Sequence, residues 1–183
     1  MRLQLAEDDR PPIELSLDKY LHSNWRPDCD FVDGLTEERN VGTLDHSCMV
    51  SYLLWALSGK QEWKNWPVTP LPGLRMRVSP TRVRVPDVCV IARGGPREQI
   101  LTHPPLAIFE VLDEEDRFSA TMKKLEDFAR FSVEYIWIID PANRRVDRYV
   151  DGGLERVRTD ELDVPETPIG VVLTELFAQL DRV

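Results

Sequence analysis

Cysteine and histidine are scarce in this sequence of 183 residues, three of each, and Cys29, Cys48 and Cys89 form no CxxC pair. That spacing argues against a disulfide framework and against a zinc cluster. With His22, His46 and His103 as the only imidazoles, a soft-metal site is not expected, whereas a hard ion held by carboxylates stays open. Long apolar runs are missing too: the longest, Met49 to Leu57, is about half of what a bilayer span needs, so no membrane helix is expected. The first ten residues lack the apolar core and cleavage site of a signal peptide, which makes the cytoplasm the expected location. Positive charge is in deficit, with 23 Lys and Arg against 32 Asp and Glu and a net charge of −9. This balance speaks against a protein that coats nucleic acid or a membrane surface by bulk electrostatics. The sequence carries no GxSxG, GxxxxGK[ST] or GxGxxG pattern, so the serine-nucleophile, phosphate-loop and dinucleotide classes fall away. There is no internal repeat, and the 14 prolines are scattered as punctuation.

What is present is the composition of an ordinary globular chain, 42% hydrophobic and 30% charged. The length suits one domain. Residues 1–12, polar and ending in Pro11-Pro12, read as a mobile lead-in, and 13–183 as a single domain. Leu15 to Leu21 reads as a short helix with Ser16 as its cap, and Phe31-Val-Asp-Gly-Leu35 as a strand entering a tight turn. Met49, Val50, Leu53, Leu54 and Leu57 recur at helical spacing, with Gly59 as a stop. Strands are predicted at Leu74–Val78, Arg82–Val85, Val88–Ala92 and Leu106–Val111. Phe118, Met122, Leu125 and Ala129 mark a second amphipathic helix, followed by the apolar run Tyr135–Ile139. A strand, helix, strand unit over 106–139 implies parallel neighbours. Arg145–Tyr149 and Leu154–Arg158 read as a hairpin around Asp151-Gly-Gly153, and Thr174–Leu180 as a last short helix. The fold class is therefore mixed α/β, a central mixed sheet flanked by helices.

The chemistry is sought where charge sits at the ends of apolar strands. Asp87 directly precedes Val88-Cys-Val-Ile91, and Glu110 stands inside Leu106-Ala-Ile-Phe-Glu-Val-Leu112. A buried carboxylate must be paired, protonated or bound to a cation. Two on adjacent strands suit Mg²⁺, which takes oxygen ligands and is commonly held by one or two carboxylates plus substrate phosphate. The alternatives are that Asp87 caps a turn after Pro86 and that Glu110 pairs with a nearby arginine. At about 100° per residue, Lys124 falls beside the apolar stripe near Phe128, where it either reaches inward or snorkels along the surface. A window of one sign also stands out: residues 73–97 hold six arginines against Asp87 alone. Arg75 and Arg77, and Arg82 and Arg84, share strand faces by alternation, as a narrow basic track for nucleic acid or as exposed faces paired with surplus acids.

Pro86-Asp87, Glu110 in Phe-Glu-Val-Leu, Lys124 in Lys-Leu-Glu-x-Phe, and Val133-Glu-Tyr-x-Trp-Ile-Ile-Asp-Pro141 together resemble the small bacterial putative restriction endonucleases of the PD-(D/E)xK nuclease superfamily. Asp30-Phe-Val-Asp-Gly34 and Leu44-Asp-His-Ser47 are similar to that family's opening hairpin and helix start, so the resemblance runs from about residue 15 to 178. It implies a restriction-endonuclease-like fold and metal-dependent hydrolysis of DNA. Asp87 and Glu110 would hold Mg²⁺ or Mn²⁺, and Lys124, carried on the following helix where the usual position holds Leu112, would orient the water. Asp30 and His46 are additional candidates, against plainer roles as a hairpin acid and a capping histidine. A homodimer is expected from the need to cut two strands, with Trp63 and Trp66 as interface or ordinary packing. The chain departs from the family at Asp113-Glu-Glu-Asp116, acids that repel a polyanion or favour a helix N-terminus, and at Ser132, where the family ends a helix with glycine. The alternative function is a catalytically inactive nuclease-fold module that binds nucleic acid or protein.

Overall fold

The computed structural model describes residues 14–24, 28–39, 42–58, 67–113 and 116–182. The lead-in expected at 1–12, Gly59, and Trp63 and Trp66 lie outside the described residues.

Helix α1, Leu17–Leu21, is short, and its first turn is closed by the Ser16 hydroxyl, which accepts from the Lys19 amide. Strands β1, Cys29–Val32, and β2, Leu35–Glu38, form a hairpin whose two turn residues, Asp33 and Gly34, both have positive φ. That is the conformation Asp-Gly supplies with least strain. The hairpin pairs through β1 with β5, Arg82–Arg84, and β5 pairs with β4, Met76–Ser79. The four make an antiparallel sheet in the order β2-β1-β5-β4. Two of the strands anticipated for a central sheet thus belong to a separate, smaller one.

The central sheet has six strands. These are β3, Val68–Pro72; β6, Val88–Ala92; β7, Ala107–Val111; β8, Tyr135–Asp140; β9, Arg145–Val150; and β10, Gly153–Arg156. Their order is β10-β9-β8-β7-β6-β3, with β7 and β8 parallel and the remaining neighbours antiparallel. The parallel pair is joined by helix α3, Phe118–Arg130, the crossover that the strand, helix, strand reading requires. Pro70 and Pro72 are tolerated in β3 because it is the outermost strand, where half the backbone groups have no ladder partner. A small hairpin of β11, Glu161–Asp163, and β12, Gly170–Val172, leads into helix α4, Leu173–Phe177.

Alternation along the strands builds two apolar layers. Val88, Val90, Phe109, Val111, Trp137 and Ile139 face helix α2, Leu44–Leu57, which contributes Met49, Leu53 and Leu57. Cys89, Ile108, Ile136 and Ile138 face the other way, against Leu125 and Phe128 of α3. Each of these two helix residues is fully buried, which stabilises the layer by roughly 1.5–3 kcal/mol per side chain. α3 ends in a Schellman motif: Val133 N–H reaches the Phe128 carbonyl and Ser132 N–H the Ala129 carbonyl, with Ser132 at φ 69°. Among the described residues no helix is long and apolar enough to cross a membrane.

Candidate active site

In the antiparallel register of β6 and β7, Val88 faces Phe109, and both point into the α2 layer. Alternation turns the neighbouring residues, Asp87 just before β6 and Glu110 within β7, towards α3. α3 then lays Lys124 across that face, one turn before the buried Phe128, so the lysine reaches inward. Its Nζ lies 2.7 Å from Glu110 Oε2 and 5.8 Å from the centre of the Phe128 ring. The three residues expected from sequence therefore line one cleft of about 310 Å³, together with Asp30 and His46.

Asp87 is held from three directions. Its Oδ2 accepts from the Val111 backbone N–H at 2.9 Å and lies 3.3 Å from His46 Nε2, while Oδ1 accepts from Arg39 Nη2 at 2.7 Å. Burial works against its charge, but the His46 hydrogen bond and the Lys124 and Arg39 charges prevail and lower its pKa to about 2. The bond to Asp87 in turn raises the His46 pKa, against burial. His46 stands in the first turn of α2, with its amide donating to the Thr43 hydroxyl. Gly42 leaves room for the ring, since a Cβ there would meet His46 Nδ1 at 2.6 Å.

Glu110 differs. Oε2 carries the lysine, but Oε1 is buried and has no hydrogen-bond partner among the described residues. Burial pushes its pKa up to about 7, the Lys124 charge offsetting only part of that, with Asp87 adding to the rise. For Lys124, burial opposes the charged form, and the carboxylates of Glu110, Asp30 and Asp87 more than restore it. A buried carboxylate oxygen without a partner beside a second carboxylate fits a hard cation, which would take one or both acids and fill its remaining positions with water and phosphate oxygen. Among the described residues, no group of three or more His, Cys, Asp and Glu side chains is arranged to hold a metal ion. Of the acids that line the cleft, Asp87 and Glu110 are the two that stand at the strand ends beside Lys124, while Asp30 is engaged by Val85 and Arg84.

Asp30 lines the cleft, but its oxygens accept from the Val85 amide at 2.8 Å and from Arg84 at 3.0 Å. It braces the hairpin against β5. The expected basic track is corrected by the same contacts. Arg84 is buried and bound to Asp30, Glu37 and Asp127; Arg82 pairs with Asp33 and Asp127; Arg75 pairs with Asp28 and stacks on Tyr20. The surplus acids have claimed these arginines, and only Arg77 of the four is exposed, donating to the Pro80 carbonyl. Of the acidic loop, Asp113 accepts from the Thr43 amide at the start of α2, and Asp116 closes a local turn by accepting from the Asp113 amide. Glu114 and Glu115 lie outside the described residues.

Sequence reasoning missed Arg39. It follows the hairpin strand β2 with no pattern around it, and only the pairing of β1 with β5 brings it to Asp87. A larger, more apolar groove of about 780 Å³ runs between α2 and α4, past Tyr52 and Trp55. Size favours that groove, but the opposed buried charges are in the smaller cleft, where the strand ends deliver them.

Comparison with known proteins agrees with this architecture. A family described as Uma2, putative restriction endonuclease, matches residues 17–176. Among solved structures, a putative nuclease belonging to DUF820 from Anabaena variabilis ATCC 29413 superposes with a TM-score of 0.72 at 18% identity, over 91% of this chain and 99% of that one. At that identity the likeness establishes the fold. No curated protein matches the chain.

Proposed function

The chain belongs to the Uma2 family of putative restriction endonucleases, and from that premise we propose that it hydrolyses DNA phosphodiester bonds with Mg²⁺ or Mn²⁺ held by Asp87 and Glu110. The observation that carries the reading is the buried Glu110 Oε1, without a hydrogen-bond partner among the described residues, in a cleft shared with Asp87 and Lys124. A bound divalent ion would polarise a phosphoryl oxygen and lower the pKa of a water molecule. Lys124 keeps its positive charge in the cleft and presents it where negative charge develops on phosphorus oxygens, while its N–H groups orient the attacking water. The Val111 amide and His46 fix the Asp87 carboxylate, so that acid is positioned before substrate arrives.

Residues 13–183 form one nuclease domain in this proposal, a cytoplasmic homodimer that cuts both strands. The ion pairs Arg39–Asp87 and Lys124–Glu110 favour a second reading, a nuclease fold that binds nucleic acid without cutting it. Supercoiled plasmid with Mg²⁺ or Mn²⁺ separates the two. The wild type is expected to nick and linearise it, with Asp87→Ala and Lys124→Ala each slower by at least about 100-fold, the scale of losing one preorganised electrostatic group. Cleavage that survives both substitutions would place the activity elsewhere, and retained DNA binding without cleavage by the wild type would favour the second reading.

A further inference from the structure

The contacts of Asp87 divide by oxygen. Oδ2 is committed to the protein frame, through the Val111 amide and His46. Oδ1 holds a single described partner, the Arg39 guanidinium at 2.7 Å. The two residues flank strands of different sheets: Arg39 directly follows β2 of the four-stranded hairpin sheet, whereas Asp87 directly precedes β6 of the six-stranded one. The ion pair is thus a contact between two layers, and the arginine can leave it without breaking a strand ladder. A guanidinium on a carboxylate oxygen and a divalent cation on the same oxygen repel each other strongly at such separations. Arginine also suits a phosphate better than a single carboxylate oxygen, because its forked donors engage two phosphate oxygens at once.

We propose that Arg39 and a divalent cation are alternative partners of Asp87, and that the cation, by displacing Arg39, turns its guanidinium onto the substrate phosphate. The proposal rests on the reading of Asp87 as a cation ligand. Arg39 is then a positioning residue that couples two binding events. Without a cation it neutralises Asp87, and with one it becomes a phosphate clamp. Because such coupling is reciprocal, phosphate that captures Arg39 also favours the cation. The same exchange keeps a buried carboxylate from standing unpaired while no cation is bound.

The test measures Mn²⁺ binding to the full chain by titration calorimetry and by the electron paramagnetic resonance of free Mn²⁺, for wild type, Arg39→Gln, Arg39→Lys and Asp87→Asn. Removing the competing charge is expected to tighten Mn²⁺ binding in Arg39→Gln at least about tenfold, and Arg39→Lys, which keeps the charge, should stay close to wild type. A purely structural arginine would weaken or leave unchanged the affinity, so equal or weaker binding by Arg39→Gln overturns the proposal. Mn²⁺ binding that survives unchanged in Asp87→Asn, or is absent from the wild type and every variant, overturns the cation reading of Asp87 and this inference with it. The second half is read with a short fluorescent DNA duplex titrated with and without Ca²⁺. Wild type should gain affinity on adding Ca²⁺, and Arg39→Gln should lose most of that gain; an equal gain in both overturns the clamp.

Discussion

Arg84, buried, and Lys124, half-buried with its amine turned inward, are both cations facing buried carboxylates, and their surroundings differ in one respect. Around Arg84, Asp30 and Asp127 each receive two donors, from Arg84 and the Val85 amide and from Arg84 and Arg82. The group ties the hairpin, β5 and α3 together. Around Lys124, one Glu110 oxygen has no partner among the described residues, and Asp87 is held in part by an arginine from another layer. A fully paired charge cluster is a brace, because any change leaves a buried charge uncompensated. An incompletely paired one has an acceptor still to offer, the position that the proposed cation would use. The two lie on one helix, since α3 supplies both Asp127 and Lys124.

The largest effect is expected at Arg84. Arg84→Ala leaves Asp30 and Asp127 buried and underpaired, and is expected to lower unfolding free energy by about 3–5 kcal/mol in urea at pH 7. A loss below about 1 kcal/mol would mean that the brace is no more than another partly open site.

A smaller effect is expected from Glu110→Gln, and it depends on pH. The folded carboxyl titrates near 7 against an ordinary value of 4.5. Between these values the folded state holds the proton that the unfolded state has already lost. Wild-type stability therefore falls as pH rises through this window and levels off above it. The glutamine variant should match wild type near pH 4 and exceed it near pH 8 by roughly 1–3 kcal/mol. His46, raised by Asp87, stabilises the fold below its unfolded value of 6.5, and that contribution is lost as pH climbs through the folded value, so some slope persists in the variant. Asp87 acts at the other end: its contribution is complete above 3.8 and lost as pH falls through about 2. Parallel stability curves for wild type and Glu110→Gln would show that Glu110 is as well satisfied as Asp30.

The smallest effect is at Ser132, a non-glycine residue at positive φ where the Schellman motif ends α3. Ser132→Gly should add about 0.5–1 kcal/mol, seen as a higher melting temperature. Although α3 serves both clusters, the Ser132 amide bonds only within the helix end, so the gain should leave the pH dependence unchanged, and a change in slope would show that relaxing the helix end moves Lys124.

Much of this arrangement was legible in the sequence because it depends on local periodicity. The alternation at Glu110, the helical wheel at Lys124 and the Asp33-Gly34 turn each follow from backbone geometry over a few residues, and each is present in the fold. The edge strand β3 escaped because Pro70 and Pro72 interrupt the expected pattern, and β11 and β12 because three residues carry too little periodicity. The partners of the arginines were hidden for a different reason. Arg84 meets Asp30 and Asp127 across separations of 54 and 43 residues, and no spacing rule reaches that far. The window of six arginines described charge along the chain, whereas neutralisation happens across it.

One contact in the cleft has a use in spectroscopy. Where the β6–β7 ladder runs out, the Val111 amide donates to the Asp87 side chain instead of to a neighbouring strand. A backbone proton is thereby wired to a carboxylate whose other contacts come from His46 and Arg39. In the amide spectrum of the isotopically labelled chain, Val111 becomes a single-peak gauge of what holds Asp87 in the intact protein.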